Sequence, residues 1–339
     1  MKNFNYAAFL FLLLAMSSCK HDRLDVDVSE IQVPDFKINR LEQDLFKMDT
    51  TNIVAATKAL QAKYGPFYTT FISGILNNGG LRDSAYTYRV KQFVNDRDML
   101  ETYHETQKIF PTTDTLKEQL TDLFRHFNYY FPKRHIPAVV TMISGYNYAV
   151  VTPDSTLAIG LEMYLGSNCP FYQMLALPKY KTAFMNKENI VPDAARAWMM
   201  NEFPYNMDKS DFLSEIVHVG RVMYLTDALL PAKINDTIKI QYTGKQMEYC
   251  IQNEFNVWSY FAAQKLLYTT DQAEIMKFTS DGPFTSALSK ESAPRIGYWI
   301  GWQIVKQYMK NNPDVTIDQL MKESSAQKIL EKAKYKPGK

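Results

Sequence analysis

The sequence predicts a mainly helical α+β domain. Helical-period patterns of apolar residues fill the first third and the second half of the chain, three short β-rich runs cluster between residues 138 and 159, and Gly, Pro and Asn punctuation separates them. Early helices are expected at about 51 to 63, 66 to 77, 86 to 95, 98 to 109 and 113 to 128. Thr50 and Thr51 offer a first N-cap, Asn77-Asn78-Gly79-Gly80 a stop, and Pro111-Thr112-Thr113-Asp114 a break with a fresh cap. Ala138 to Ile143, Asn147 to Val151 and Thr156 to Ile159, parted by Ser144-Gly145 and Thr152-Pro153-Asp154, predict a small β meander. Helices are expected again at about 192 to 202, 211 to 227, 244 to 268, 294 to 311 and 316 to 333. Residues 36–339 contain no Gly/Ser or Pro-rich linker and are expected to form one domain. The echo of Asn201-Glu202-Phe203 in Asn253-Glu254-Phe255 has dissimilar flanks and marks no repeat.

The N-terminus states an address. Lys2, the apolar run from Phe4 to Met16, and the Met16-Ser17-Ser18-Cys19 junction read as a lipoprotein signal peptide over residues 1–18. The apolar run is shorter than the ~20 residues that span a bilayer. Cys19 becomes the first mature residue, its thiol carrying a diacylglyceryl group. With each buried methylene worth ~0.8 kcal/mol, several acyl chains hold a protein on a membrane durably. Lys20, His21, Asp22, Arg23, Asp25 and Asp27 crowd the following stretch, so residues 19–35 are expected to be a flexible tether. Lys20-His21-Asp22 is not the dense acidic tag of a surface-exported lipoprotein, so the periplasmic face of the outer membrane is the expected address, with the surface-exposed face left open.

The whole chain carries 38 basic and 36 acidic side chains, and removing residues 1–18 takes away only Lys2, leaving 37 against 36. With no basic tract and acids interleaved throughout, nucleic acid is excluded as a partner. Cys169 and Cys250 form an even pair that one disulfide would join, although Cys250 also falls at an apolar position of a helical pattern, where a thiol packs as a small hydrophobe. His21, His104, His126 and His135 have no partner at i+4. Glu215 and His218, at i and i+3, read as a surface hydrogen bond before a metal pair. No nucleophile elbow, P-loop or dinucleotide fingerprint is present, and no cofactor or catalytic residue is expected. Glu202 and Glu254 would suit a glycosidase only as a facing pair, and otherwise read as solvated or paired with Arg196 or Arg295.

Gly297 and Gly301 lie one helical turn apart, flanked by Tyr298, Trp299 and Trp302, so something approaches that face closely. Either another helix packs there, or the face is a groove in which Glu202, Glu254, Arg295, Gly297, Trp299 and Gly301 meet a ligand. The 22 tyrosines and 14% aromatic content add the alternative of an aromatic-lined glycan-binding surface, recognisable by exposed rings clustered on one face.

Several segments resemble one family. Ile159 to Gly166, Val222 to Pro231 and Pro294 to Gln303, with Asn253-Glu254, Trp258, Leu266 to Asp271, Pro283-Phe284-Thr285 and Lys334 to Pro337, look like the gliding-motility lipoprotein GldB family of the Bacteroidetes. The resemblance implies a membrane-anchored envelope protein with other envelope proteins as partners and no established catalytic role. The chain is more remotely similar to predicted zinc peptidases with H-E-x-x-H on a helix, which would imply a zincin-like fold. The corresponding Asn201-Glu202-Phe203-Pro204-Tyr205 keeps only the glutamate, and Val219-Gly220 stands where a third ligand is expected, so the metal site is expected to be lost.

Overall fold

The computed structural model describes residues 23–206 and 210–338. The signal peptide, Cys19 and the first tether residues lie outside the described residues. Strand β1 (Ile38–Arg40) runs into α1 (Leu41–Phe46), followed by α2 (Ile53–Tyr64), α3 (Pro66–Thr70), α4 (Tyr86–Asn95), α5 (Arg97–Ile109) and α6 (Asp114–Tyr130). Next come β2 (Ala138–Met142), β3 (Val150–Val151), β4 (Thr156–Gly160) and the short α7 (Pro170–Met174) and α8 (Lys179–Thr182). The second half holds α9 (Ile190–Glu202), α10 (Phe212–Leu229), α11 (Asp236–Ile240), α12 (Gly244–Ala263), α13 (Gln272–Thr279), α14 (Ile296–Asn311), α15 (Ile317–Lys322) and α16 (Ala326–Ala333).

Local chemistry sets the boundaries. Asn52, rather than Thr50 or Thr51, caps α2 by accepting from the Ala55 N–H, because Asp49 has already turned residues 50–52 into a 3-10 turn. Gly65, at φ 55°, ends α2, and Pro66 opens α3 at once. Capping boxes at Thr243/Gln246 and Thr316/Gln319 start α12 and α15. The single helix expected over 316 to 333 is two, since Ser325 caps a fresh start for α16.

The four strands lie in the order β1-β2-β4-β3. The expected meander is corrected here. β2 and β4 are adjacent and parallel, Val139 against Leu157, while β3 pairs antiparallel with β4 from the outer edge, Val150 against Ile159. β1 lies parallel to the other side of β2. The physical reason is coverage on both faces. Val139, Leu157 and Ile159 join the main core, whereas Val140, Met142 and Ala158 join a second cluster with Leu45, Phe71 and Val90. A sheet with helices on both faces suits parallel neighbours.

The main core centres on α10, whose residues are nearly all buried, crossed by α14. A methyl on Gly301 would overlap the Ile216 carbonyl, and one on Gly220 would overlap the backbone of Gly301. The two backbones therefore touch through glycine, which settles the sequence alternative as packing. Trp299 and Trp302 are buried in the same layer.

From Arg23 onward the tether is not loose. Residues 23–37 carry no helix or strand, yet Arg23 donates to the carbonyls of Met309 (2.9 Å) and Val315 (2.7 Å), Leu24 and Val33 pack on the core, and Val28 is buried. Charge density hid these spaced apolar side chains. Cys169 and Cys250 are both free and buried, so the disulfide is corrected to two separate core thiols. Burial pushes the Cys250 thiol up to about 12, in keeping with an inert packing role.

Candidate functional site

A two-lobed cleft opens beside the β3 edge of the sheet. The smaller lobe, about 310 Å³, is walled by rings and thioethers including Tyr146, Met163, Tyr164, Tyr180 and Phe184. The larger, about 420 Å³, runs past Tyr148, Arg196, Met200, Met223 and Tyr298. Asn147, Ala149, Asp193, Gln241 and Arg295 line both and form the waist. Three lining residues, Tyr146 (φ 65°), Gln241 (φ 59°) and Arg295 (φ 51°), hold left-handed backbones without being glycine. Such conformations cost on the order of 1–3 kcal/mol each and persist only where the surrounding structure imposes them.

Each is held from behind. Buried Glu162 accepts from the Ser144 N–H (2.7 Å), the Ser144 hydroxyl (2.5 Å) and the Tyr146 N–H (3.2 Å), folding the Ser144–Tyr148 turn onto the end of β4. Asp193, in the first turn of α9, accepts from Arg196 (2.8 Å), Gln241 (2.8 Å) and the Tyr164 hydroxyl (3.0 Å), joining three segments of the chain. Burial raises the Asp193 carboxyl, opposed chiefly by Arg196. Arg295 precedes α14. Its Nη2 donates to the Ile240 carbonyl (3.3 Å), its Nε lies 3.8 Å from Asp281, and that buried Nε has no hydrogen-bond partner among the described residues. Asp193 is thus fully engaged, and Arg295 is the cationic group at the waist with a donor to spare.

Burial raises the Glu162 carboxyl to about 7, against hydrogen bonds from Ser144 that lower it. The folded chain therefore holds a proton that the unfolded chain releases above its ordinary value of 4.5. Glu162 accordingly lowers stability as pH rises from about 4.5 to 7. Glu162→Gln is expected to remove that slope, on the order of 3 kcal/mol across the window. Urea titrations of both forms at pH 4.5 and 7.5 check this, and parallel pH dependences would count against it.

The residues proposed from sequence as one face are dispersed. Glu202 pairs with Arg134, and Glu254 accepts from Tyr335 (2.6 Å). These two carboxylates have separate partners and line neither lobe. Gly297 meets Phe212 and Ile216, Gly301 meets Ile216, and Trp299 is core, so the groove reading is corrected for all of them except Arg295. Arg196, offered as a partner for Glu202 or Glu254, is Asp193's instead. Glu215 and His218 are buried rather than exposed. Tyr298 donates to Glu215 (3.1 Å), while His218 stacks on Tyr205 and lies 3.2 Å from Arg221 through Nδ1. Burial, with Arg221, lowers His218 to about 4 and keeps it neutral. No group of three metal-ligating side chains occurs among the described residues. Helix α9 ends at Glu202, just before Pro204, so Asn201 and Tyr205 never share a helix.

Residues 21–337 match the family described as gliding motility protein GldB. The chain belongs to the GldB family. Comparisons with curated proteins and with solved structures find no match. The GldB family is one of gliding-motility-associated lipoproteins by its name, and the cleft lies wholly within the matched residues. No helix among the described residues is long and apolar enough to cross a membrane. Sequence reasoning found Arg295 but missed Asp193, Arg196 and Gln241. Asp193 and Arg196, at i and i+3 after Pro192, were the one local signal available.

Proposed function

We propose that this chain is a non-enzymatic recognition component of the envelope, held at the periplasmic face of the outer membrane by lipid on Cys19, and that it binds another envelope protein through the cleft. The observation that carries the reading is the waist: Gln241 and Arg295 hold left-handed backbones there, and the buried Arg295 Nε, 3.8 Å from Asp281, has no hydrogen-bond partner among the described residues. A guanidinium so placed accepts a carboxylate, while the ring-lined lobes on either side take apolar side chains. The described lining residues include no serine, cysteine or histidine, which suits binding better than covalent or acid–base chemistry.

A glycan reading draws on Tyr146, Tyr164 and Tyr180 in the smaller lobe. It is the weaker one, because, of the exposed tyrosines, Tyr148 alone lines the cleft, while Tyr88, Tyr129 and Tyr260 sit on α4, α6 and α12 and Tyr268 follows α12. The peptidase alternative requires zinc near Glu202. Elemental analysis of the purified mature chain is expected to find no stoichiometric zinc. About one tightly held zinc per chain, lost in Glu202→Gln, would overturn the reading and put the peptidase first.

A further inference from the structure

We propose that the corner where α14 and α16 end is the face held against the bilayer, and that Arg23 is the clip that sets it. The proposal rests on reading Cys19 as lipid-modified. Arg23 spreads its planar fork over the carbonyls of Met309 and Val315. Met309 lies in the last turn of α14, where carbonyls lack helical partners and a cation also complements the helix dipole. Leu24 packs on the core and Val28 is buried just beyond, so the strap is fixed in place from Arg23 onward.

Four residues of chain span at most ~14 Å. A domain of this size is ~50 Å across, taking its radius of gyration as ~19 Å. A leash so much shorter than the body cannot let it roll over. The α14–α16 corner must face the headgroups whenever Cys19 is anchored in them.

The chemistry of the corner fits that occupant. Asn311 and Asn312 donate to the carbonyls of Ala333 (2.7 Å) and Lys332 (3.3 Å), bringing the two helix ends together. Lys310, Lys332 and Lys334 stand exposed there without an ion pair among the described residues, beside the acids Asp25 and Asp314. A lysine held near anionic headgroups strengthens association by roughly fivefold. Arg295 stands at the other end of α14. The helix has 16 residues, so the cleft sits ~24 Å along it from the membrane-facing corner.

The test uses the full mature lipoprotein in phosphatidylethanolamine/phosphatidylglycerol vesicles carrying an acceptor dye on the headgroups. A donor is placed at Asp314→Cys or at Lys245→Cys, the latter beside the cleft-lining Gln246. Energy transfer is expected to be strong from position 314 and weak from 245. The contrast should be lost when a Gly/Ser insertion of about 30 residues, with a mean span of ~30 Å, follows Asp22. Charge reversal at Lys310, Lys332 and Lys334 should remove any strengthening of transfer by phosphatidylglycerol. Equal transfer from both positions at native spacing, with labelled palmitate present on the chain, would overturn the orientation. Absence of palmitate from the wild-type chain, or its retention in Cys19→Ala, would overturn the anchor reading beneath it.

Discussion

Replacing Gly301 by alanine is expected to cost about 3 kcal/mol or more, enough to lower the denaturation midpoint sharply. Alanine is the better helix former by about 1 kcal/mol, so the expected loss runs against propensity. What decides the sign is the neighbour. The added methyl would overlap the Ile216 carbonyl, and backbone in the middle of α10 cannot swing aside as a side chain can. Relief requires moving α14 off α10, which opens the main core along its length. Gly297→Ala is the internal control: there the nearest atoms are the Phe212 ring and the Ile216 methyl at 3.1 Å, side chains able to give by tenths of an ångström. Its cost should stay within about 1 kcal/mol. Urea denaturation of the two variants beside wild type reads the difference. An unchanged midpoint for Gly301→Ala would mean that the glycine face is open after all.

Asp193→Ala carries the second large effect, about 3–5 kcal/mol. The loss is not the strength of one pair. Truncation leaves the buried Tyr164 hydroxyl and the Arg196 and Gln241 donors without their acceptor at the same time, and Arg196 is then a partly buried cation that keeps, among the described residues, the Lys239 carbonyl. Asp193→Asn keeps one acceptor oxygen without a charge to desolvate, and should cost clearly less. Since Gln241 sits at the waist in a left-handed backbone, Asp193→Ala should also loosen the cleft. Hydrogen exchange at residues 240–246 and 295–298 follows that loosening. Equal stability of the alanine and asparagine variants would show that the three donors find other partners.

The helices were legible in the sequence because their apolar period and caps are local signals. α10, for example, starts where Asp211 accepts from the Ser214 N–H, next to the residue at which the pattern begins. The close approach at Gly297 and Gly301 was legible too, but not its identity, since α10 lies about 80 residues earlier in the chain. Strand direction was hidden. β4 is buried along its whole length, so Thr156–Gly160 offers no alternation to show which face or neighbour it takes. β1 was missed because a three-residue strand running straight into a helix carries almost no period. The cleft was the least legible part. Its waist gathers Asn147, Asp193, Gln241 and Arg295 from four distant segments, and three backbones of the cleft take a conformation that the residue types Tyr, Gln and Arg do not announce.

In the proposed function Arg295 is the recognising group of a lipid-anchored, non-catalytic protein. Its most direct measurement is photocrosslinking in cells from a reactive residue at the exposed Tyr148, in the larger lobe, comparing wild type with Arg295→Ala and Arg295→Lys at matched membrane abundance. A discrete crosslinked partner is expected in wild type, lost in the alanine variant and weakened in the lysine variant, which keeps the charge but not the fork. The denaturation midpoint should change little, since Arg295 makes one long hydrogen bond and a distant ion pair. Undiminished crosslinking to the same partner in Arg295→Ala would contradict the account.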